Sequence, residues 1–249
     1  MKIATWNVNG IRARQAQVCE FLERERPDVL CLQELKAERS QVPAECAGSD
    51  YHVYWHGARA YSGVSLHIRK ALMPDAPKFS HPEFDMECRI VEAAMGNLVV
   101  ASVYVPNGGK NFDDKIAFMH RLSKWTREVH RSGRELLLCG DINITRTELD
   151  VHPKERKPNV IGQRWDEREL FEELLGAHLV DVGRALDPDN PNLFTWWAPW
   201  RNLRQRNIGW RLDYVLATPL TATRASSCVV QREFGTSDHA PVVLALRAG

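Results

Sequence analysis

The 249-residue sequence reads as an α/β protein whose β-sheets pack on one another beneath a cover of helices. Three observations lead there. Apolar runs of strand length recur from one end of the chain to the other. Stretches of helical length separate only some of them. Elsewhere two runs follow each other across a tight turn, as in RIVEAAMGNLVVASVYV, which turns at Gly96 and Asn97.

In chain order, KIATWNV is followed by a helical stretch over 12–26, then by DVLCLQ, HVYW, GVSLHIR, RIVEAAM and LVVASVYV. A second helix is expected over 113–131, where Ile116, Met119 and Trp125 share an apolar face. Asp113 and Asp114 stand near its start, where negative charge favours the helix dipole. ELLLCG, a third helix over 166–176, RLDYVLA and APVVLALR complete the order. In the last run Pro241 holds Ala240 extended, and Val242, Val243 and Leu244 read as a short buried strand. No linker, low-complexity stretch or repeat divides the sequence, so residues 1–249 are expected to form one compact domain.

The totals narrow the class. A composition 44% hydrophobic and 26% charged is that of an ordinary soluble enzyme, and a net charge of +1 neither announces nor excludes a nucleic-acid partner. Cys19, Cys31, Cys46, Cys88, Cys139 and Cys228 form no CxxC pair and no metal-type spacing. Four of them sit in or beside apolar runs, as reduced buried thiols do. MKIATWNVNG has no signal-peptide core, and no run approaches the roughly 20 apolar residues of a membrane span. The expectation is a cytoplasmic protein without membrane contact, nucleoid-associated if bacterial.

One pattern points to chemistry: apolar strands end in carboxylates, carboxamides or imidazole. TWNVNG sets Asn7 and Asn9 two apart, on one side of a strand. DVLCLQE ends in Glu34, and ELLLCGDIN carries Asp141 and Asn143, again two apart. RLDYVLA places Asp213 within expected core, and Asp238 with His239 precedes the last strand. Each alone also reads as a turn residue, a cap or a surface acid. Asp213 is harder to dismiss, because a buried carboxylate is costly unless paired, and His239 is the natural partner. An Asp–His pair fixes the imidazole tautomer and stabilises its charged form. Glu34, with Asn7 or Asp238 nearby, offers the hard oxygens that magnesium takes. Acids gathered without a cation would repel one another; a divalent ion relieves that and stabilises charge on a phosphoryl oxygen. One metal-assisted phosphodiesterase site accounts for all of them together.

The stretches TWNVNGIRA, DVLCLQELKA, YSGV, VYVPNG, LLLCGDINI, FTWW, NIGWRLDYVLA and TSDHAPV resemble, in order and over the whole length, the exonuclease III family of abasic-site (AP) DNA endonucleases. The resemblance implies a four-layer α/β sandwich, two mixed sheets face to face with helices on both outer sides. It implies a magnesium-dependent hydrolase (manganese as a substitute) that cuts DNA 5′ to abasic sites in base excision repair. Trimming of blocked 3′ ends or 3′–5′ exonuclease activity goes with it. Glu34, Asn7 and Asp238 would hold the metal. Asp141 would be the acid/base group, Asn143 would orient water and phosphate, and His239 held by Asp213 would bind the scissile phosphate. Tyr104 and Asn107 resemble phosphate-site residues.

The segment 194–214 carries four tryptophans and the arginines Arg201, Arg204, Arg206 and Arg211 against one acid. Basic residues interleaved with aromatics track phosphates and stack or wedge against bases. By resemblance Trp196, Trp210 and Leu212 line a pocket for a flipped-out sugar without a base, and Trp200, beside Arg201, stands where relatives insert a wedge. Lys110 stands where some relatives place an inserted arginine; Arg12, Tyr61 and Arg89 resemble backbone-contacting residues, with ordinary solvated surface as the alternative. Three departures stand out. Asn9 replaces an aspartate of some relatives, Cys88 a frequent glycine, and KPNVIGQRW (157–165) matches loosely, with one inserted residue before Gly162. That loop borders the pocket in the family, which makes Asn159 and Gly162 site candidates. The expected partner is duplex DNA with abasic or 3′-blocked sites, met by a monomer. The competing readings are an enzyme restricted to 3′ ends, a same-fold phosphodiesterase acting on another substrate, and a dead DNA-binding module. None of Glu34, Asp141, Asp213, Asp238 and His239 is missing, which speaks against the last.

Overall fold

The computed structural model describes residues 1–58 and 61–248. Its twelve strands form two six-stranded sheets. The first holds β11 (Ala225–Val230), β12 (Val242–Leu246), β1 (Lys2–Asn7), β2 (Val29–Gln33), β4 (Tyr61–Arg69) and β3 (Tyr51–Ala58), in that order. The second holds β5 (Phe79–Ser80), β6 (Ile90–Met95), β7 (Leu98–Tyr104), β8 (Glu135–Asp141), β10 (Asp213–Ala217) and β9 (Val180–Asp181). Each sheet is mixed, with one parallel pair at its centre, β1 with β2 and β7 with β8.

Side-chain alternation along each strand divides the residues between two faces. Ile3, Val29, Cys31, Leu66 and Leu244 of the first sheet pack against Val91, Val100, Leu137, Cys139 and Val215 of the second. The alternate residues face outward. Ala4, Trp6, Leu30 and Leu32 meet Val18, Phe21 and Leu22 of α1 (Gln15–Glu25). Val99, Ala101, Val103, Leu136 and Leu138 meet α2 (Phe112–Arg131) and α3 (Trp165–Leu175). Helix, sheet, sheet, helix: the four layers expected from the sequence.

All nine strand-like runs and all three helices are present, the bounds moving by a few residues. In α2 the buried face runs through Lys115, Phe118, Met119, Leu122 and Trp125, with Ile116 only partly covered. Three strands were not foreseen. β5 and β9 are two residues long, and β11 (ASSCVV) is an edge strand whose serines are exposed, so it shows no apolar run. Two short helices, α4 (Val182–Leu186) and α5 (Pro219–Ala222), also went unforeseen. All six cysteines are free thiols; Cys46 joins Cys31 and Cys139 in full burial. No helix among the described residues is long and apolar enough to cross a membrane.

Candidate active site

The alternation that builds the inter-sheet core also builds the site. Asn7 continues the inward row of Ile3 and Thr5, Asp141 that of Leu137 and Cys139, and Asp213 that of Val215 and Ala217. Strand register then sets Tyr104 beside Asp141, and Asp141 beside Asp213. Three polar side chains therefore stand in a row where the second sheet ends, opposite Asn7 of the first. Behind them Thr5, Gln33 and Ser102 form a buried hydrogen-bonded chain between the sheets.

Asn7 joins the two halves. Its Nδ2 donates to Glu34 Oε2 and to Asp141 Oδ2, each at 2.9 Å. Glu34 leaves the end of β2 with φ 56°, and Asn143 follows β8 with φ 56°. Left-handed backbone at two non-glycine residues is strain that the surrounding hydrogen bonds must hold. They do: Gly10 N donates to Glu34 O (2.8 Å), and Asn143 N and Nδ2 donate to Asp141 Oδ1 (2.8 Å) and Oδ2 (3.2 Å).

His239 Nδ1 lies 2.8 Å from Asp213 Oδ2, and its Nε2 faces Asp141 Oδ2 across 3.9 Å. Burial alone would strip the imidazole of its proton, but the carboxylates of Asp213 and Asp141 hold its pKa up, at about 10. Burial pushes Asp141 up to about 7; His239 pulls it down and Asp213 adds to the rise. Asp238 is held below the usual range against its burial by His239, Asn9 and Trp196. Tyr104, half-buried and close to Glu34 and Asp141, has its phenol pKa raised by the loss of solvent and by those two carboxylates, so it keeps its proton into alkali.

The oxygens around Glu34 suit a hard cation. Lys36 Nζ already bridges Glu34 Oε1 (2.7 Å) and Asn9 Oδ1 (2.6 Å), and Asn9 Nδ2 donates to Asp238 Oδ1 at 2.8 Å. Glu34, Asn7 and Asp238 thus meet round Asn9, whose backbone amide also donates to Asn7 Oδ1 at 3.0 Å. The ligand atoms of Asp141, Asp213 and His239 form a second group, all within 4.8 Å of one another.

Segment 194–197 runs between Trp210 and His239, pairing with both. It brings Trp196 onto Trp210 in an edge-to-face contact, centroids 5.2 Å apart, and Trp196 Nε1 donates to Asp238 Oδ2 at 3.0 Å. The apolar pair is thus fastened to the polar site, with Leu212 buried behind it. Trp210 Nε1 is a buried donor without a partner among the described residues. Gly162 lies against Trp210 at φ +91°, and a Cβ there would sit 3.1 Å from Cζ3 of the indole. Gly162→Ala is expected to cost about 1–2 kcal/mol of stability. Thermal denaturation checks it.

The rim candidates are spread more widely. Tyr61 is exposed, with Lys110 Nζ 5.5 Å from its ring centre. Arg89 does not face solvent: it is 1% exposed, binds Glu87 and donates to Tyr61 Oη at 3.1 Å. An arginine so placed braces Tyr61 rather than reaching out itself. Cys88 beside it has φ 57°, the conformation glycine adopts most easily. Trp200, 60% exposed, and Arg201 stand at the tip of their loop, while Arg12 and Asn107 are exposed near the site. The side chain of Asn159 is exposed, and among the described residues no hydrogen bond or ion pair ties it to the pocket.

Sequence reasoning missed one residue that matters to the geometry. Lys115 Nζ is fully buried and donates to Asn107 O (3.1 Å), to Asn143 O (2.8 Å) and to Glu167. Glu167 in turn accepts from Gly162 N (2.6 Å) and Arg164 N (3.1 Å). One ammonium so ties three loops around the site. A lysine interrupting the buried face of α2 was the available signal.

A sequence profile of the endonuclease/exonuclease/phosphatase family matches residues 4–239. The chain belongs to this family. An exodeoxyribonuclease of Bacillus subtilis (strain 168) is 32% identical over 251 residues, covering 98% of each chain. Among solved structures, an AP endonuclease from Archaeoglobus fulgidus aligns over the whole of both chains with a TM-score of 0.90 at 28% identity. A 3′ phosphatase from Neisseria, solved with a product DNA hairpin, gives the same TM-score at 30% identity, again over the whole of both. The family fold therefore spans relatives named for internal cleavage and relatives named for work at 3′ ends.

Proposed function

We propose that the chain, as one catalytic domain over 1–249 and as a monomer, hydrolyses DNA 5′ to abasic sites and clears blocked 3′ ends in repair. The observation that carries this is the join at Asp238: one side chain touches both the polar site, through Asn9, and the tryptophan pocket, through Trp196. A phosphodiester centre and an apolar slot for a baseless sugar are thereby set side by side.

Glu34, Asn7 and Asp238 would hold Mg2+, with Mn2+ as a substitute; the ion supplies charge to a phosphoryl oxygen when bound. The chain's own residues do the rest. His239, kept protonated by Asp213, donates to a non-bridging oxygen of the scissile phosphate and stabilises the charge that grows there. Asp141, with a pKa of about 7, is poised to take a proton from the attacking water near neutral pH. Asn143 fixes the Asp141 carboxylate through both its amides and orients the water. Tyr104 stays a neutral donor beside them. Tyr61, Lys110, Asn107 and Arg12 would track the backbone; Trp200 and Arg201 would wedge the duplex.

A labelled duplex with one tetrahydrofuran site, incubated with Mg2+ and with EDTA beside an undamaged recessed duplex, tests the reading. A magnesium-dependent nick 5′ to the analogue is expected. Trimming of the recessed end without any nick would restrict the enzyme to 3′ ends, and silence on both would overturn the assignment to DNA.

A further inference from the structure

A second cluster of metal-ligating side chains lies among residues that the phosphodiester chemistry does not use. His56 on β3 and the pair His81 and Asp85, from the loop between β5 and β6, each bring one ligand atom within 4.8 Å of the others. We propose that His56, His81 and Asp85 bind a borderline divalent cation of the zinc class, clamping the edge strand of the first sheet to a loop of the second.

The carboxylate is held ready. Asp85 Oδ1 accepts from the backbone amides of Arg89 (2.8 Å) and Ile90 (3.0 Å), which leaves Oδ2 turned to His56 Nε2 at 2.6 Å. Fixing a ligand through its remaining atoms is what outer-shell contacts do in metal sites. The imidazoles of His56 and His81 stack at 4.5 Å with 10° between their planes. His81 is exposed, and among the described residues no hydrogen bond holds either of its nitrogens, so its ring is free to turn toward the pair. A tetrahedral cation with bonds of about 2.1 Å separates its ligand atoms by about 3.4 Å. His56 and Asp85 therefore part by less than 1 Å as the cation replaces the proton they share.

The donor set selects the metal. Two imidazoles and one carboxylate suit zinc, cobalt or nickel, whereas magnesium takes oxygens only. Three protein ligands leave the fourth position to water. The clamp has a mechanical target, because the same loop carries Glu87 and Arg89, which brace Tyr61. Binding would tighten that edge without adding a catalytic group.

Calorimetric titration of metal-stripped protein with Zn2+, under saturating Mg2+, tests the proposal. Wild-type protein is expected to take up one equivalent more than His81→Gln, and Zn2+ is expected to raise its Tm by more. His81 is exposed, so this variant should fold and, without zinc, incise abasic DNA at the wild-type rate. His56→Gln should lose the same equivalent. With Co2+ as the probe, the visible bands of a tetrahedral, nitrogen-ligated ion should appear in wild type and be reduced in His81→Gln. Equal zinc stoichiometry and affinity in wild type and His81→Gln would overturn the site, as would unchanged cobalt bands.

Discussion

Asp141→Asn is expected to lower the rate of abasic-site incision by about two to four orders of magnitude, while the metal-free protein melts no lower than wild type. Both halves follow from one environment. Asp141 is 1% exposed, lies beside Asp213 in the sheet and has its pKa pushed up to about 7 by burial. Its charge is therefore unwelcome in the fold at neutral pH, and that same reluctance lets it take a proton there. Asparagine keeps the shape and the acceptor for Asn7 and removes the charge, which offsets the one bond lost from the Asn143 backbone amide. Single-turnover incision with Mg2+ and thermal denaturation in EDTA measure the two effects separately. A rate within tenfold of wild type would take proton transfer away from Asp141.

The second large effect is expected at Asp213→Asn: a rate loss of about 100-fold or more at neutral pH, with the alkaline limb of the profile displaced to lower pH. Asp213 is the nearest charge holding His239 protonated, 2.8 Å away. Without it the imidazole loses its proton sooner, and with it the donor to phosphate. Stability carries the same sign. The folded pKa of His239, about 10, stands above its ordinary 6.5, so its contribution is fully present below pH 6.5 and is lost as pH rises through about 10. The margin of wild type over Asp213→Asn should accordingly shrink across that window. Denaturation midpoints of metal-free proteins at pH 6 and pH 10 decide it, and a constant margin would separate Asp213 from the protonation of His239.

Much of this was legible in the sequence, for a physical reason. Buried strands alternate strictly, so Asn7, Asp141 and Asp213 had to end the inward rows of β1, β8 and β10. Asn9 and Asn143 lie past the strand ends, at φ 45° and 56°, and reach their partners through left-handed backbone that alternation does not foresee. What alternation could not give is which chains meet across the gap. The bond from Asn7 to Asp141 spans 134 residues of sequence and the two sheets. Arg89 shows the opposite failure. The sequence offers it as a backbone contact, but a sequence does not distinguish an arginine that reaches for solvent from one sealed under a tyrosine. Lys36 was part of a quoted motif, yet its place between Glu34 and Asn9 needed the fold. β11 stayed hidden because an edge strand keeps one face wet.

The knot at Lys115 also says where this chain can afford to vary. Thr145 holds Gly162 through its carbonyl, Glu167 holds it through its amide, and Lys157 N is held by Gln163 Oε1 at 2.8 Å. Both feet of the loop are therefore planted, and the arch between them can only reach outward, where Asn159 and Val160 stand in solvent. Growth or trimming of that arch alters what an incoming strand meets first and leaves the row of Tyr104, Asp141 and Asp213 undisturbed. A scaffold wired in this way can change its clientele by editing its doorstep.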